Sequence, residues 1–507
     1  MDIWKNAEKN IVIHGNKMNI VESCVDRHSA GKNNIALFFE NENGKTKVIS
    51  YNQLENDINK FANTLDKYKI KINSRIFIFL PKIYDMYYSF LGSIKQGSIV
   101  SPLFEAFQTD GLELRLNKGN ADVLITNKEL VKRLKHKPKN LKIIIIDSEE
   151  YKSTFNKMSD KFNPILKDKN DTAIMMFTSS TAGTPVAGVE ISHYAIVQQD
   201  FTARLVLDLK ENDNYWCTAH PGWITGSVYG IIAPLSIGCS IYVYESHFDS
   251  KKWLKFILKN KISVIYTAPT ALRMLKSEFS KSHLKYIRNI CSVGEALTES
   301  IFNYYKNLGI EINDTYWQTE TGAMVIANWR ALRKKPGSMG KALPGIKALI
   351  KNKSIVLKPK WPAMMTGIYK HKQMYNAYFK SNLFQTNDLA FKDKEGYFFF
   401  KGRKDDIIKT SGERVSPIEI ESILLKHKAV KESAVIGIPD KIKGQIIKAF
   451  IILNKNFYPT EKLKEELMFF VKENYAGHAY PKSIEFRNEL PKTNSGKIIK
   501  MQLRKEK

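Results

Sequence analysis

The sequence predicts an α/β fold: a large N-terminal unit of parallel-rich sheets flanked by helices, then a small α+β C-terminal unit. Three observations carry this expectation. Short β-branched runs alternate with helical periodicity, which is the rhythm of βαβ units and of parallel sheets covered on both faces. The texture changes after Gly402-Arg403-Lys404-Asp405-Asp406. The chain, at 507 residues, is also too long for one small core.

Strands are expected at Arg75–Leu80, Asp122–Thr126, Lys142–Ile146, Thr172–Thr178, Ser240–Tyr244, Ile262–Ala268, Ile287–Val293 and Ile310–Trp317. Helices are expected between them at Ile83–Lys95, His193–Leu209, Ser250–Lys261 and Thr298–Leu308. The C-terminal unit reads as helix Pro417–His427, strands Glu432–Ile438 and Ile446–Leu453, helix Thr460–Glu473 and strand Ser483–Arg487. About a hundred residues with their own apolar pattern can form a separate domain. The expected boundary falls at Arg403/Lys404, giving domains 1–403 and 404–507.

Composition narrows the function classes. Hydrophobic residues make up 43% and aromatics 11%, ample for globular packing. Lys and Arg number 79 against 51 Asp and Glu, a formal charge of +28. That favours anionic ligands. The excess is mostly Lys spread along the chain, with no arginine-rich run or nucleic-acid module, so a small anionic substrate is expected and nucleic acid is not. Cys24, Cys217, Cys239 and Cys291 have neither CxxC spacing nor regular intervals, as expected of buried thiols in a reducing compartment. The start, Met1 to Asn6, lacks the apolar stretch of a signal peptide. The longest apolar stretch, Val228 to Tyr244, is broken by Pro234, Gly238 and Ser240. A cytoplasmic protein without a membrane span is expected.

The densest chemistry lies in Asp314-Thr315-Tyr316-Trp317-Gln318-Thr319-Glu320-Thr321-Gly322. Aromatic faces suit a flat base, hydroxyls and N–H groups suit phosphate oxygens, and a carboxylate suits Mg²⁺ beside them. Residues 178–185, Thr-Ser-Ser-Thr-Ala-Gly-Thr-Pro, follow a strand and could cradle an anion. Further motifs are Thr386-Asn387-Asp388, Asp405-Asp406-Ile407-Ile408-Lys409-Thr410-Ser411-Gly412-Glu413-Arg414 and Pro491-Lys492-Thr493-Asn494-Ser495-Gly496-Lys497.

In this order and spacing the motifs resemble the acyl-adenylate-forming superfamily of acyl-CoA synthetases, adenylation domains and luciferases. The likeness covers essentially the whole chain and is narrowest toward acetyl-CoA synthetases. That branch is carried by Pro102 to Phe107, Tyr215 to Ala219, Pro221 to Gly226, Ser292 to Glu295 and Pro336 to Gly340. The resemblance implies two half-reactions. A carboxylate attacks the α-phosphate of ATP, giving acyl-AMP and pyrophosphate; the thiol of coenzyme A then displaces AMP. A mobile C-terminal domain, hinged at Asp405, is implied to serve both, with Ser411 and Gly412 facing CoA.

The same resemblance implies residue roles. Thr178, Ser179, Ser180, Thr181 and Gly183 correspond to the phosphate loop. Gly294, Glu295 and Ala296, with Tyr316 opposite, correspond to the adenine slot. Asp314 to Thr319 line the nucleotide, Asp388 and Arg403 hold the ribose, Thr319 donates to the α-phosphate and Glu320 holds Mg²⁺. Arg414 and Lys497 reach the phosphates from the small domain, Lys497 as the catalytic lysine. Trp223, Ile224, Thr225, Val293 and Trp317 form the acyl pocket, where Trp317 fills the space a long chain needs. Acetate is then the expected substrate and propionate the second. Lys497 is implied to be a target for a lysine acetyltransferase and deacetylase.

The chain departs from the family pattern at several points. Ser180 replaces a Gly, Ala182 replaces a hydroxyl residue, and the Lys after Pro185 is absent. His220 stands where Asp is usual, Asn387 where Gly is usual and Gln445 where an acidic residue is usual. The stretch from Lys351 to Trp361 is short, as though a hairpin were missing. A catalytically impaired paralogue that binds nucleotide or acyl-AMP is therefore the alternative reading. A third is an amino-acid adenylating enzyme, from Phe248-Asp249-Ser250, although Asp249 or Ser250 also suits a helix cap.

Overall fold

The parallel sheets that the βαβ rhythm predicts are the centre of the molecule. The computed structural model describes residues 2–30, 34–178, 187–246, 248–404, 406–410, 413–440, 444–474, 480–492 and 498–505. Among these, a seven-stranded sheet runs in the order Gly367–Ile368, Gly188–Ser192, Thr172–Phe177, Ile99–Leu103, Arg75–Phe79, Val123–Thr126, Lys142–Ile145. Its last five strands are parallel, and the first two close one edge antiparallel.

A nine-stranded sheet runs Lys341–Ala342, Ile326–Ala327, Asn313–Tyr316, Asn289–Ser292, Val264–Thr267, Asn214–Cys217, Ser240–Glu245, Ile35–Asn41, Thr46–Ser50. Its six central strands are parallel. Both parallel blocks are hydrophobic on both faces, as sandwiching between helices requires. Helices Tyr51–Lys67 and Tyr84–Lys95 pack together on this core, with Phe61 and Tyr88 edge to face at 5.7 Å.

The eight strands expected in this region all form; seven are trimmed by one to three residues at an end, and the strand expected at Ser240–Tyr244 runs one residue further, to Glu245. The expected helix His193–Leu209 is built in three pieces: a 3-10 turn at His193–Ala195, an α-helix at Ile196–Thr202 and a π-turn at Ala203–Leu207. Asp208 ends it in the left-handed region at φ 54°. Asp249 caps helix Ser250–Lys259 by accepting from the Lys252 N–H at 2.8 Å. The stretch near Lys351 retains a hairpin: Ala348–Lys351 pairs with Ser354–Leu357 across Asn352 and Lys353, both at positive φ, the geometry of a two-residue turn.

That hairpin belongs to a five-stranded antiparallel sheet with Phe379–Lys380, Leu383–Lys392 and Phe398–Arg403. The C-terminal strands form a further sheet, Glu413–Val415, Ile408–Thr410, Gly444–Leu453, Val430–Asp440, with Ser483–Phe486 parallel to Gly444–Leu453. Helices Pro417–Leu424 and Glu461–Asn474 cover it, and residues from Ile408 to Ile484 share their own hydrophobic core.

Candidate active site

The nine-stranded sheet brings part of the expected site, Val293 and Trp317 with Gly294 to Ala296, to one end. Strands Asn313–Tyr316, Asn289–Ser292, Val264–Thr267 and Asn214–Cys217 are consecutive parallel neighbours. Their carboxyl ends lead into Trp317, Val293, Ala268 and Thr218, the side on which open α/β sheets bind ligands.

Alternation along Asn313–Tyr316 sends neighbouring side chains to different partners. Thr315 donates to the Ser292 carbonyl at 2.7 Å, so its oxygen accepts from the Tyr266 hydroxyl at 2.8 Å. Tyr266 in turn accepts from Trp317 Nε1 at 3.1 Å. The chain Trp317 to Tyr266 to Thr315 to Ser292 runs in one direction and fixes the indole. Tyr229 meets that indole edge to face at 5.1 Å. The Tyr229 hydroxyl accepts from the Met324 N–H at 3.0 Å and lies 2.8 Å from the Thr202 hydroxyl.

The other side of the segment faces the ribose candidates. Asp388 and Arg403 are direct cross-strand partners on Leu383–Lys392 and Phe398–Arg403, and Arg403 Nε lies 3.8 Å from Asp388 Oδ1. Asp388 Oδ2 accepts from the Tyr316 hydroxyl at 2.8 Å and from Gln318 Nε2 at 2.6 Å. Its Oδ1 is buried with no hydrogen-bond partner among the described residues. Burial raises the Asp388 pKa, against the opposing pull of Arg403. Asn387 explains one departure from the family pattern: its φ is 59°, a conformation that Gly adopts freely and Asn tolerates.

Gly294 lies at φ 89°, exposed beyond strand Asn289–Ser292. The Glu295 carboxylate turns to helix Pro269–Leu275, accepting from Thr270 Oγ1 at 2.6 Å, and Arg273 donates to the same Thr270 oxygen. Ala296 is half-buried beside it. Asp314 is buried and accepts from Ser292 Oγ at 2.6 Å. Asp314 is expected to line the nucleotide, and its carboxyl is engaged by Ser292 inside the protein. Burial pushes that carboxyl up to about 7.

Thr319 opens a 3-10 turn, Thr319–Thr321, that closes at Gly322 in the left-handed region. A Cβ at 322 would run into the Ala363 carbonyl oxygen, which accounts for the glycine. Glu320 Oε1 accepts from the Tyr378 hydroxyl at 2.8 Å. Among the described residues no cluster of three or more His, Cys, Asp or Glu could cage a metal. A single carboxylate suits Mg²⁺, which keeps waters and shares nucleotide phosphates.

Of the residues expected to form the acyl pocket, Ile224, Val293 and Trp317 pack partly buried against the same core. Trp223 packs on Phe104 at 5.5 Å between ring centres, and Thr225 follows in the turn Ile224–Ser227. Thr178 stands half-buried at the end of strand Thr172–Phe177, its N–H donating to the Ala187 carbonyl at 3.4 Å. Ser179, Ser180, Thr181, Gly183, Asp405, Ser411, Gly412 and Lys497 lie outside the described residues. Arg414 is described by its backbone in strand Glu413–Val415. Tyr266, Tyr229 and Tyr378 were not anticipated; a tyrosine in a strand or helix carries no local mark of the partner it will meet.

Residues 26–360 match the family model described as AMP-binding enzyme, and residues 419–497 match its AMP-binding enzyme C-terminal domain. The chain belongs to the AMP-binding enzyme family. It is 39% identical to an acetyl-coenzyme A synthetase of Bacillus subtilis (strain 168), over 96% of this chain and 90% of that one. An acyl-CoA synthetase of Brucella canis shares 29% identity and a TM-score of 0.76, covering 100% of this chain and 97% of that one. An anthranilate CoA ligase in complex with anthranoyl-AMP shares 25% identity and a TM-score of 0.84, covering 97% and 98%. Among the described residues no helix is long and apolar enough to cross a membrane.

Proposed function

We propose that this protein is an ATP-dependent acetyl-CoA synthetase acting through acetyl-AMP. The observation that carries the reading is the Trp317–Tyr266–Thr315 chain, which holds an indole across the acyl pocket of a chain 39% identical to an acetyl-coenzyme A synthetase over nearly its full length. A wall fixed on two sides cannot yield to a longer acid, because overpacking costs roughly 1–3 kcal/mol while each added methylene returns only about 0.8 kcal/mol.

The acetate oxygen attacks the α-phosphorus of ATP and pyrophosphate leaves; the CoA sulfur then attacks the acetyl carbonyl carbon and AMP leaves. Tyr316 and the Gly294–Ala296 turn flank adenine. Asp388 Oδ1, buried with no hydrogen-bond partner among the described residues, accepts from the ribose hydroxyls beside Arg403. Thr319 donates to the α-phosphate. Glu320 would hold Mg²⁺, which when bound offsets phosphate charge. Thr178 to Gly183 line the phosphates. Arg414 and Lys497 act from a small domain that begins at residue 404 and turns about Asp405, bringing Ser411 and Gly412 to CoA. A cytoplasmic location, and acetylation and deacetylation of Lys497, belong to the same reading. The impaired-paralogue alternative rests on loop residues outside those described and gains no support from relatives named as synthetases.

The test is product analysis with purified protein, acetate, ATP, Mg²⁺ and CoA. Acetyl-CoA, AMP and pyrophosphate in equal amounts are expected; ADP and phosphate, or no thioester, would overturn the reading.

A further inference from the structure

We infer that His220 is a positioning residue for the acyl pocket, pinning the segment that carries Trp223, Ile224 and Thr225 to the end of strand Arg75–Phe79. The inference rests on the pocket assignment above and concerns a position where the family pattern has Asp.

His220 is buried at 3% exposure, between the carboxyl ends of the two large sheets. Its Nε2 lies 3.2 Å from the Leu80 carbonyl oxygen, and the Gly222 N–H donates to its Nδ1 at 2.8 Å. A carbonyl only accepts and an N–H only donates. Nε2 therefore carries the hydrogen and Nδ1 is bare, so the two contacts together require the neutral Nε2–H tautomer. Burial disfavours the imidazolium as well, and the neighbouring Lys82 acts in the same direction. The charged groups facing the ring are Lys82 and Glu105, whose Oε2 is 3.9 Å from Nε2.

The His220 backbone anchors the same segment. Its carbonyl accepts from the Trp223 N–H at 2.9 Å. Gly226 packs so closely on that carbonyl that a Cβ there would collide with it. Ser227 Oγ donates to the Pro221 carbonyl at 2.6 Å. Phe104, which supports Trp223, also meets the His220 ring edge to face at 5.3 Å. The pocket segment is thus wound around His220, and the ring joins it to the neighbouring sheet. An Asp at this position could accept from Gly222 but, ionised, has no hydrogen to give Leu80.

Three variants separate the two contacts. His220→Asn keeps an acceptor near Nδ1, His220→Gln keeps a donor near Nε2, and His220→Ala keeps neither. Each lost hydrogen bond is expected to raise the KM for acetate about fivefold. The Asn and Gln variants should therefore be intermediate and the Ala variant about twenty- to thirtyfold weaker. The preference for acetate over propionate should fall in the same order. The KM for ATP should stay within about twofold in all three, which a general structural lesion would not allow.

An unchanged acetate KM in the Ala variant, or an ATP KM that rises in parallel, overturns the inference. So does a wild-type acetate KM with a step near pH 6.5 that disappears in the Asn variant, because the ring would then titrate as a free histidine. Wild-type protein with no acetate-dependent AMP formation would instead sink the proposed function, so the two failures are distinguishable.

Discussion

The Tyr316 hydroxyl donates to Asp388 Oδ2 at 2.8 Å, and Oδ1 of the same carboxylate is buried with no hydrogen-bond donor in range among the described residues. The pairing orients Asp388 for a ligand that brings hydroxyls. In Asp388→Asn the amide oxygen can replace Oδ2 and keep Tyr316 and Gln318 satisfied, while the amino group takes the place of Oδ1. The fold should survive and the ribose acceptor should be lost. The KM for ATP is expected to rise about ten- to a hundredfold, with the melting temperature little changed. Steady-state kinetics beside a thermal melt check both halves.

Asp314 gives a pH signature in stability. Its carboxyl, buried and bonded to Ser292 Oγ, is raised to about 7 when folded and titrates near 4 when unfolded. Between those values the folded chain holds a proton that the unfolded chain has released. The stabilisation is complete below about pH 4 and is lost as pH rises through about 7, at up to about 1.4 kcal/mol per pH unit. Asp314→Asn retains the acceptor for Ser292 and removes the titration. Urea midpoints taken from pH 5 to pH 8 should fall more steeply for wild type than for the variant; parallel slopes contradict the assignment.

In the proposed pocket, Trp317 would set the size limit. Trp317→Ala opens the space against Tyr229 and releases the Tyr266 hydroxyl. Activity with acetate should fall while butyrate becomes the better acid, each filled methylene adding about fourfold in kcat/KM. A competition among acetate, propionate and butyrate reads the shift directly.

The role proposed for Lys497 would divide the two half-reactions. If its ammonium serves adenylation, Lys497→Ala should lower acetyl-AMP formation about a hundred- to a thousandfold, the scale of losing one charge-stabilising donor. Thioester formation from supplied acetyl-AMP and CoA should stay within about threefold of wild type. Single-turnover assays of each half-reaction measure the split.

Most of the parallel strands were legible as short runs rich in β-branched residues with both faces buried, as at Val123–Thr126 and Val264–Thr267. The two-residue edges Lys341–Ala342 and Gly367–Ile368 were not, since two residues carry no period. Helix His193–Leu209 was legible as one apolar repeat, but the switch to a π-turn at Ala203 is a register change that composition does not announce. In the site, Tyr316, Asp388 and Arg403 could be named from motifs, and the cross-strand register then set Asp388 opposite Arg403. The support from Tyr266, Tyr229 and Tyr378 comes from elements distant in sequence and is decided by packing. Asn387 looked like a defect in a motif; its φ of 59° is one that Gly adopts freely and Asn tolerates.

The central claim is that this site adenylates a short carboxylic acid, and acetate-dependent exchange of pyrophosphate into ATP tests it most directly. With acetate, propionate and butyrate compared in the absence of CoA, exchange should be fastest with acetate, weaker with propionate and near background with butyrate. Lys497→Ala should reduce all three toward background. Wild-type exchange no higher than the Lys497→Ala control with every acid would contradict the account.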